Sequence, residues 1–404
     1  MGHAIRMTRH LTYIALALLT SLTSWSCATQ AADDVRIGAP LALTGSLADE
    51  GKKQALAYDM WLTRVNATGG IAVEGQKKKV TLVTYDYQSD GKRAQQLAEK
   101  LITDDKVHVV MAPFGSGHTK IVAGVAERYG VPVVASVASS ESVYDQGFKN
   151  LFGTLAPNSG LVDAMLTLFT REYPTLKKVA ILGRDDVFPR DMAETLRTRA
   201  GTAGLEVVYS EFYSNGTIDH SAALAKIKGL APDWIYVTGY SQDLILARKQ
   251  MYDIGLTAPI VTMITGPAYR EFVEGLGPLA EGVTSVTWWH HTTTYDSDDA
   301  WGSTKAFYED FKSRESSDPD YIHASSAAAL VAVQKAIETA GSLEPAKIGA
   351  ALRALNTTTF YGPIVFDEHG MNAARDLPIL QVQAHEVKVL FPASIAQATL
   401  VTFK

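Results

Sequence analysis

Short apolar runs and amphipathic segments alternate along this chain almost without a break, and then the alternation begins afresh. Val35–Leu41, Val80–Tyr85, Val107–Met111 and Val131–Ala135 read as strands. Between them, residues 48–67 carry Ala57, Trp61 and Val65 in one column, and residues 91–104 place Ala94, Leu97, Ala98, Leu101 and Ile102 on one face. That is the i, i+3, i+4, i+7, i+8 spacing of a helix with one buried side. After residue 158 the pattern restarts, with strands at 179–182, 205–209, 234–237 and 260–263 and helices at 158–173, 190–203, 219–229 and 241–254. Strands separated by helical crossovers imply parallel sheets covered on both faces. The expected fold is therefore α/β: two doubly wound, Rossmann-like lobes with a cleft between them. One more strand-like run reaches Trp289. Helices follow near 298–314, 321–341 and 345–355, then β-like runs at 362–366 and 377–383. The long helical return implies several crossings between lobes.

One loop stands out within this frame. Ala112-Pro113-Phe114-Gly115-Ser116-Gly117-His118-Thr119 follows an apolar run and precedes Ile121, Val122, Val125 and Ala126, so it joins a strand to a helix expected from His118. Such a loop offers backbone N–H groups and hydroxyls at the positive end of a helix, where an anion is stabilised. A second hydroxyl-rich loop, Ser136-Val137-Ala138-Ser139-Ser140, follows the next strand. In a parallel sheet the two lie side by side at the carboxyl edge, where such sheets bind ligands. The pair reads as a carboxylate clamp. Ordinary turn and N-cap chemistry would use the same residues.

The ends and the balance of charge narrow the setting. His3, Arg6, Arg9 and His10 precede an apolar run from Leu11 to Leu22, and small residues lead to Ala31-Ala32. This is the pattern of a secretory signal peptide over residues 1–31, cleaved after Ala28 or Ala31. Cys27, the one cysteine, falls inside it. Its preceding context, Ser24-Trp25-Ser26, suits lipidation poorly. An exported chain without a disulfide must draw its stability from a core. The formal net charge of -6 argues against a nucleic-acid partner.

The order and spacing of several short pieces resemble the type I periplasmic solute-binding proteins of ABC importers, the leucine/isoleucine/valine-binding group. They are Ile37-Gly38-Ala39-Pro40-Leu41 with Leu43-Thr44-Gly45, Asn66, Gly69-Gly70-Ile71, Asp86, the 112–119 loop and Val131-Pro132. Tyr240, Gly255-Leu256, Ala280-Glu281-Gly282-Val283, Gly362-Pro363 and Phe366-Asp367 continue the series. The resemblance implies a signal peptide over 1–31, a first lobe from 32–154 plus 286–361, and a second from 155–285 plus 362–404. A three-stranded hinge would join them. It implies a monomer in the periplasm that binds an amino acid by cleft closure and delivers it to an inner-membrane permease. No cofactor, metal or catalytic residue is implied.

By that resemblance Ser116, with Thr119 in the same loop, would hold a carboxylate. Ser139 would touch both ends of an amino acid, and the backbone of Val137 would face the cleft. Phe188 stands where a tyrosine closes over the ligand, and Tyr240 where the second lobe offers an aromatic. Thr265 stands where leucine-binding members carry a glutamate for the α-ammonium. A buried ammonium without a carboxylate is strongly unfavourable. Glu50 could replace it, as could Asp185 or Asp243. Otherwise the ligand is a small acid without nitrogen, such as an aromatic carboxylate. A ligand-sensing module is the third reading.

Other chemistries fit less well. Gly115-Ser116-Gly117 lacks the hydrolase elbow because Phe114 stands where that turn needs glycine. The same stretch is neither a dinucleotide fingerprint nor a P-loop. His290-His291 would point to opposite faces if they lay on a strand, which argues against a shared metal. Trp288-Trp289 would line the cleft mouth or pack at a hinge. Asp296–Asp299 reads as a helix-capping, solvated turn.

Overall fold

The computed structural model describes residues 34–372 and 377–403. The expected export signal and Cys27 lie outside the described residues. Two sheets carry the architecture. In the first, the spatial order is Val80–Asp86, Val35–Leu41, Val109–Met111, Val133–Ala135 and Leu151–Gly153, all parallel. In the second, Glu206–Tyr213, Lys178–Arg184, Trp234–Thr238, Ile260–Met263 and Thr284–Val286 run parallel in that spatial order. Two antiparallel strands, Ile379–Gln383 and Glu386–Phe391, complete its edge. Within each lobe the second strand in sequence sits outside the first, and the third lies on the first strand's other side. The two lobes thus share one winding order, although no repeat is visible between their sequences.

The helices form where the apolar faces demand. Ala48–Ala67 buries Ala57, Tyr58, Met60, Trp61 and Val65 against the first sheet and against the helix Tyr321–Ala340. Gly91–Thr103 starts at Asp90, whose carboxylate accepts from the Arg93 amide at 2.7 Å. Ser116–Tyr129 ends at Gly130 in the left-handed region, φ 66°. Tyr321–Ala340 is capped by Asp320 and is buried along nearly its whole length, so it acts as a core rod of the first lobe.

Three crossings link the lobes, at 154–157, 287–289 and after Asn372. Trp288 Nε1 donates to the Ala156 carbonyl at 2.9 Å, tying the first two together. Gly362–Val365 pairs with Asn356–Thr359, and Gly370–Asn372 hydrogen-bonds with Gly153 on the first sheet's edge.

Some local expectations shift. The helix read from His118 starts two residues earlier, at Ser116, which puts that serine in the first turn. A hairpin, Ile71–Val73 with Gln76–Lys78, and the final strand Glu386–Phe391 were not anticipated. The helix expected near 298–314 is Thr304–Lys312, capped by Ser303. Asp299 instead organises the turn before it, accepting from the Trp301, Gly302 and Phe360 amides.

Candidate functional site

In each sheet the winding reverses between the first and third strands, and ligands of open α/β sheets lie at such reversals. The two reversals face each other across the cleft. The loops leaving them begin four helices, Ala48–Ala67 and Ser116–Tyr129 from the first lobe, Val187–Ala200 and Ser241–Asp253 from the second. Three of these starts carry their own acid. Asp49 and Glu50 occupy the first turn of Ala48–Ala67. Asp186 caps Val187 at 2.7 Å. Asp243 accepts from the Tyr240 amide at 3.1 Å. Ser116–Tyr129 has neither an acidic residue in its first turn nor a side-chain cap.

The sequence builds that open start. Gly115 sits at φ 87°, and a Cβ there would stand 3.5 Å from Tyr240 Oη. Glycine therefore permits both the turn and a close approach to the helix's first amides. Ser116 Oγ accepts from the Ser139 and Ser140 amides, each at 3.3 Å. A hydroxyl has two acceptor lone pairs and one proton, so Ser116 retains its proton for a further partner. Ser139 has the opposite polarity. Its Oγ donates to Asn158 Oδ1 at 2.7 Å, which leaves lone pairs to accept from a donor.

Around these hydroxyls stands an aromatic enclosure. Phe114, Phe188, Tyr240, Tyr269, Trp288 and Tyr321 line one cavity with Gly115, Ser116, Val137, Ser139 and Leu155. Phe188 and Tyr240 stack at 6.4 Å, and Phe114 meets Tyr240 edge-on at 5.7 Å. The Arg184 guanidinium lies 4.9 Å from the Tyr240 ring centre, so that ring is fixed from behind. The side chains converge until only about 10 Å³ of free space remains, room for about one water.

Of the acids considered for an ammonium, Glu50 alone is buried and free of a cation. Its side chain crosses the cleft to Ser241 Oγ at 3.5 Å. Burial raises its carboxyl to about 7, against the opposing pull of its own backbone amide and of Lys53. Asp185 is exposed and bound to Arg190 at 2.6 Å. Asp243 is held by Arg184 at 2.9 Å. Neither lines the aromatic cavity, and each already pairs with an arginine.

Ser116, Val137, Ser139, Phe188 and Tyr240 thus share one cavity. Thr119 does not line it: its hydroxyl turns back to the Pro113 carbonyl at 3.2 Å and steadies the loop. Glu50 does not line it, and Thr265 does not line it either. It is buried in the left-handed region, φ 68°, and its hydroxyl has no hydrogen-bond partner. Trp288 belongs to both roles read for the tryptophan pair, lining the cavity and tying the hinge. Tyr269, Tyr321 and Leu155 were missed. Tyr321 follows an Asp at a helix start, a signal present in the sequence, but nothing local shows that its ring faces the cleft. His290 and His291 follow the strand rather than lie on it, and their ring centres are 4.3 Å apart on one side. The geometric reason given against a shared metal therefore fails. Among the described residues no group of three or more potential ligands gathers there or elsewhere.

Comparison with known proteins agrees with this geometry. A family pattern described as periplasmic binding protein matches residues 34–386. The leucine-, isoleucine-, valine-, threonine- and alanine-binding protein of Pseudomonas aeruginosa is 26% identical, over 87% of this chain and 90% of its own length. A leucine-binding protein from Thermotoga maritima superposes with a TM-score of 0.78 at 24% identity, over 88% of this chain and 97% of that one. A solute-binding protein of R. palustris in complex with benzoate superposes at 0.76 with 19% identity, over 91% and 98%. With two like-wound lobes meeting at a hydroxyl-lined helix start, and with that match along most of its length, this chain belongs to the periplasmic binding proteins, a family that binds solutes and does not catalyse.

Proposed function

We propose that this chain is the solute-binding component of an ABC importer, and that it takes a small carboxylate with an apolar body, an apolar or aromatic amino acid fitting best. One observation carries the reading. Of the four helix starts at the cleft, only Ser116–Tyr129 lacks an acid of its own. A ligand carboxylate completes it, through the first-turn amides and the Ser116 proton. Ser139 accepts from an ammonium, and Glu50 supplies the opposing charge from the same side. The aromatic enclosure covers the apolar body.

Binding and release follow from the hinge. We assign residues 34–153 with 290–372 to the first lobe, and 158–286 with 379–403 to the second. Opening separates Phe114 from Tyr240 and gives the ligand entry. Closure excludes water and strengthens each hydrogen bond. The closed surface is then what an inner-membrane permease reads, with the chain working as a monomer in the periplasm after removal of its signal peptide. Among the described residues no helix is long and apolar enough to cross a membrane.

A second reading has its own support. Thr265 replaces the glutamate that family likeness would place there, and six aromatic side chains suit a ring. On that reading the ligand is an aromatic acid and Glu50 stays protonated. A thermal-shift screen of amino acids against aromatic acids separates the two, because only binders stabilise the fold. Stabilisation by apolar amino acids is expected. Stabilisation by aromatic acids alone would favour the second reading, and none by either would remove the carboxylate cleft.

A further inference from the structure

We propose that Tyr269 and Tyr321 form a movable partition that sets the length of ligand this cleft accepts. The inference rests on the carboxylate reading above and adds where the ligand's far end must stop.

Beyond the aromatic enclosure lies a second space, a groove of about 630 Å³. Among the described residues, only Tyr269 and Tyr321 line both it and the cleft cavity. One comes from each lobe: Tyr269 follows the strand Ile260–Met263, and Tyr321 opens the helix packed on Ala48–Ala67. The partition is therefore complete only when the lobes meet. The two hydroxyls hydrogen-bond at 2.6 Å, with the rings 5.8 Å apart and 22° from parallel. Lys53 braces the pair, its Nζ lying 4.4 Å from the Tyr269 ring centre. Asp320 and Glu271 hold that ammonium at 2.8 and 2.9 Å. Trp288 leans on Tyr321 with ring centres 4.8 Å apart.

Free space is divided unequally, about 10 Å³ on one side of the tyrosines and about 630 Å³ on the other. A carboxylate held at Ser116 directs its body into a small, ring-filled cavity. A short body rests against the two rings. A longer one has to push them toward the groove, breaking the hydroxyl bond and the Lys53 contact. Length selection thus comes from a hydrogen bond made between lobes at closure, and the excess room behind it is reached only when that bond is broken.

The test is calorimetric titration of the mature chain with two graded series. One is benzoate, phenylacetate, 3-phenylpropanoate and 4-phenylbutanoate; the other is L-valine, L-leucine, L-phenylalanine and L-homophenylalanine. In the parent, affinity should fall about tenfold or more from the best member of the bound series to its longest. Tyr269→Ala and Tyr321→Ala should each move the optimum to a longer member. Tyr321→Phe keeps the packing and removes only the hydroxyl bond, so it should fold like the parent and relax the penalty on the longest member by about threefold. An unchanged optimum in the folded variants, with all affinities lowered alike, would overturn the partition and leave the cleft intact. A parent that binds with no dependence on length would do the same. A parent that binds neither series would sink the carboxylate reading and the partition with it.

Discussion

Two helix starts with the same place in their lobes have opposite chemistry. Ser116–Tyr129 follows the third strand of the first lobe, and Ser241–Asp253 follows the third strand of the second. In the second, Asp243 holds the Tyr240 amide and is itself held by Arg184, so the positive end of the helix is satisfied from within. In the first, glycine and serine supply no acid, and the nearest carboxylate is the other lobe's Asp186, whose Oδ1 lies 3.1 Å from where a Gly117 Cβ would stand. The same winding order produces two anion-ready sites, and a single carboxylate decides which one the protein fills for itself. Both lobes contribute to the aromatic enclosure, Phe114 and Tyr321 from the first and Phe188, Tyr240 and Tyr269 from the second, so the two helix starts differ in charge rather than in apolar lining.

Substitutions at the two starts should therefore differ in whether stability or binding suffers more. The largest effect belongs to the filled start. Asp243→Ala leaves the buried Arg184 guanidinium with only Asp186, at 3.8 Å, and should lower unfolding stability by about 3 kcal/mol, read by denaturant titration. A loss under about 1 kcal/mol would mean that the second start is not held by this pair. Converting the open start into a filled one is the reciprocal change. Ser116→Asp should abolish carboxylate binding, a loss of about 3 kcal/mol or more, while leaving the melting temperature unchanged or raised. Retained affinity would remove the anion from that helix.

Glu50 sharpens the comparison because it reaches from the open lobe to the filled one. With its carboxyl raised from 4.5 to about 7, the folded chain keeps a proton there that the unfolded chain has already released. Its stabilising contribution is full below pH 4.5 and lost as the pH rises through 7. Glu50→Gln should match the parent at pH 4 and exceed it in stability by about 3 kcal/mol at pH 8. The same change should weaken an amino-acid ligand by about 2–3 kcal/mol and leave an aromatic acid unharmed. Ser116→Ala should cost about 1.5–3 kcal/mol of binding and, by unpairing the buried Ser139 and Ser140 amides, about 1–2 kcal/mol of stability, measured by calorimetry beside a thermal scan. The smallest effect is on closure. Glu271→Gln removes the inter-lobe charge contact to Lys53 while Asp320 still holds that ammonium, and should shift the open–closed balance by about 1 kcal/mol, seen as a larger radius of gyration at subsaturating ligand.

Most of the fold was legible because it is written locally. Ala94, Leu97, Ala98, Leu101 and Ile102 announce one helix, and Gly130 ends another. The open helix start was legible too, since Gly115-Ser116 follows a buried strand. What the sequence does not carry is orientation. Thr119 is as polar as Ser116 and three residues away, yet its hydroxyl satisfies Pro113. Asp185 and Asp243 are as acidic as Glu50, yet arginines hold both. Tyr269 and Tyr321 are 52 positions apart in sequence and share one hydrogen bond. Only the meeting of the lobes brings them together. Each of these outcomes depends on a partner remote in the chain, and no local pattern encodes it.

The third crossing, after Asn372, has a consequence for how the chain is made. The first lobe needs Tyr321–Ala340 to cover its sheet, and the second needs Ile379–Gln383 and Glu386–Phe391 to finish its own. Both cores thus wait for the last quarter of the polypeptide, and a chain halted early leaves apolar surface exposed in two places at once. Contacts so distant in sequence are slow to form. The lobes are separate in space yet complete each other in time, and they should unfold as one unit rather than two.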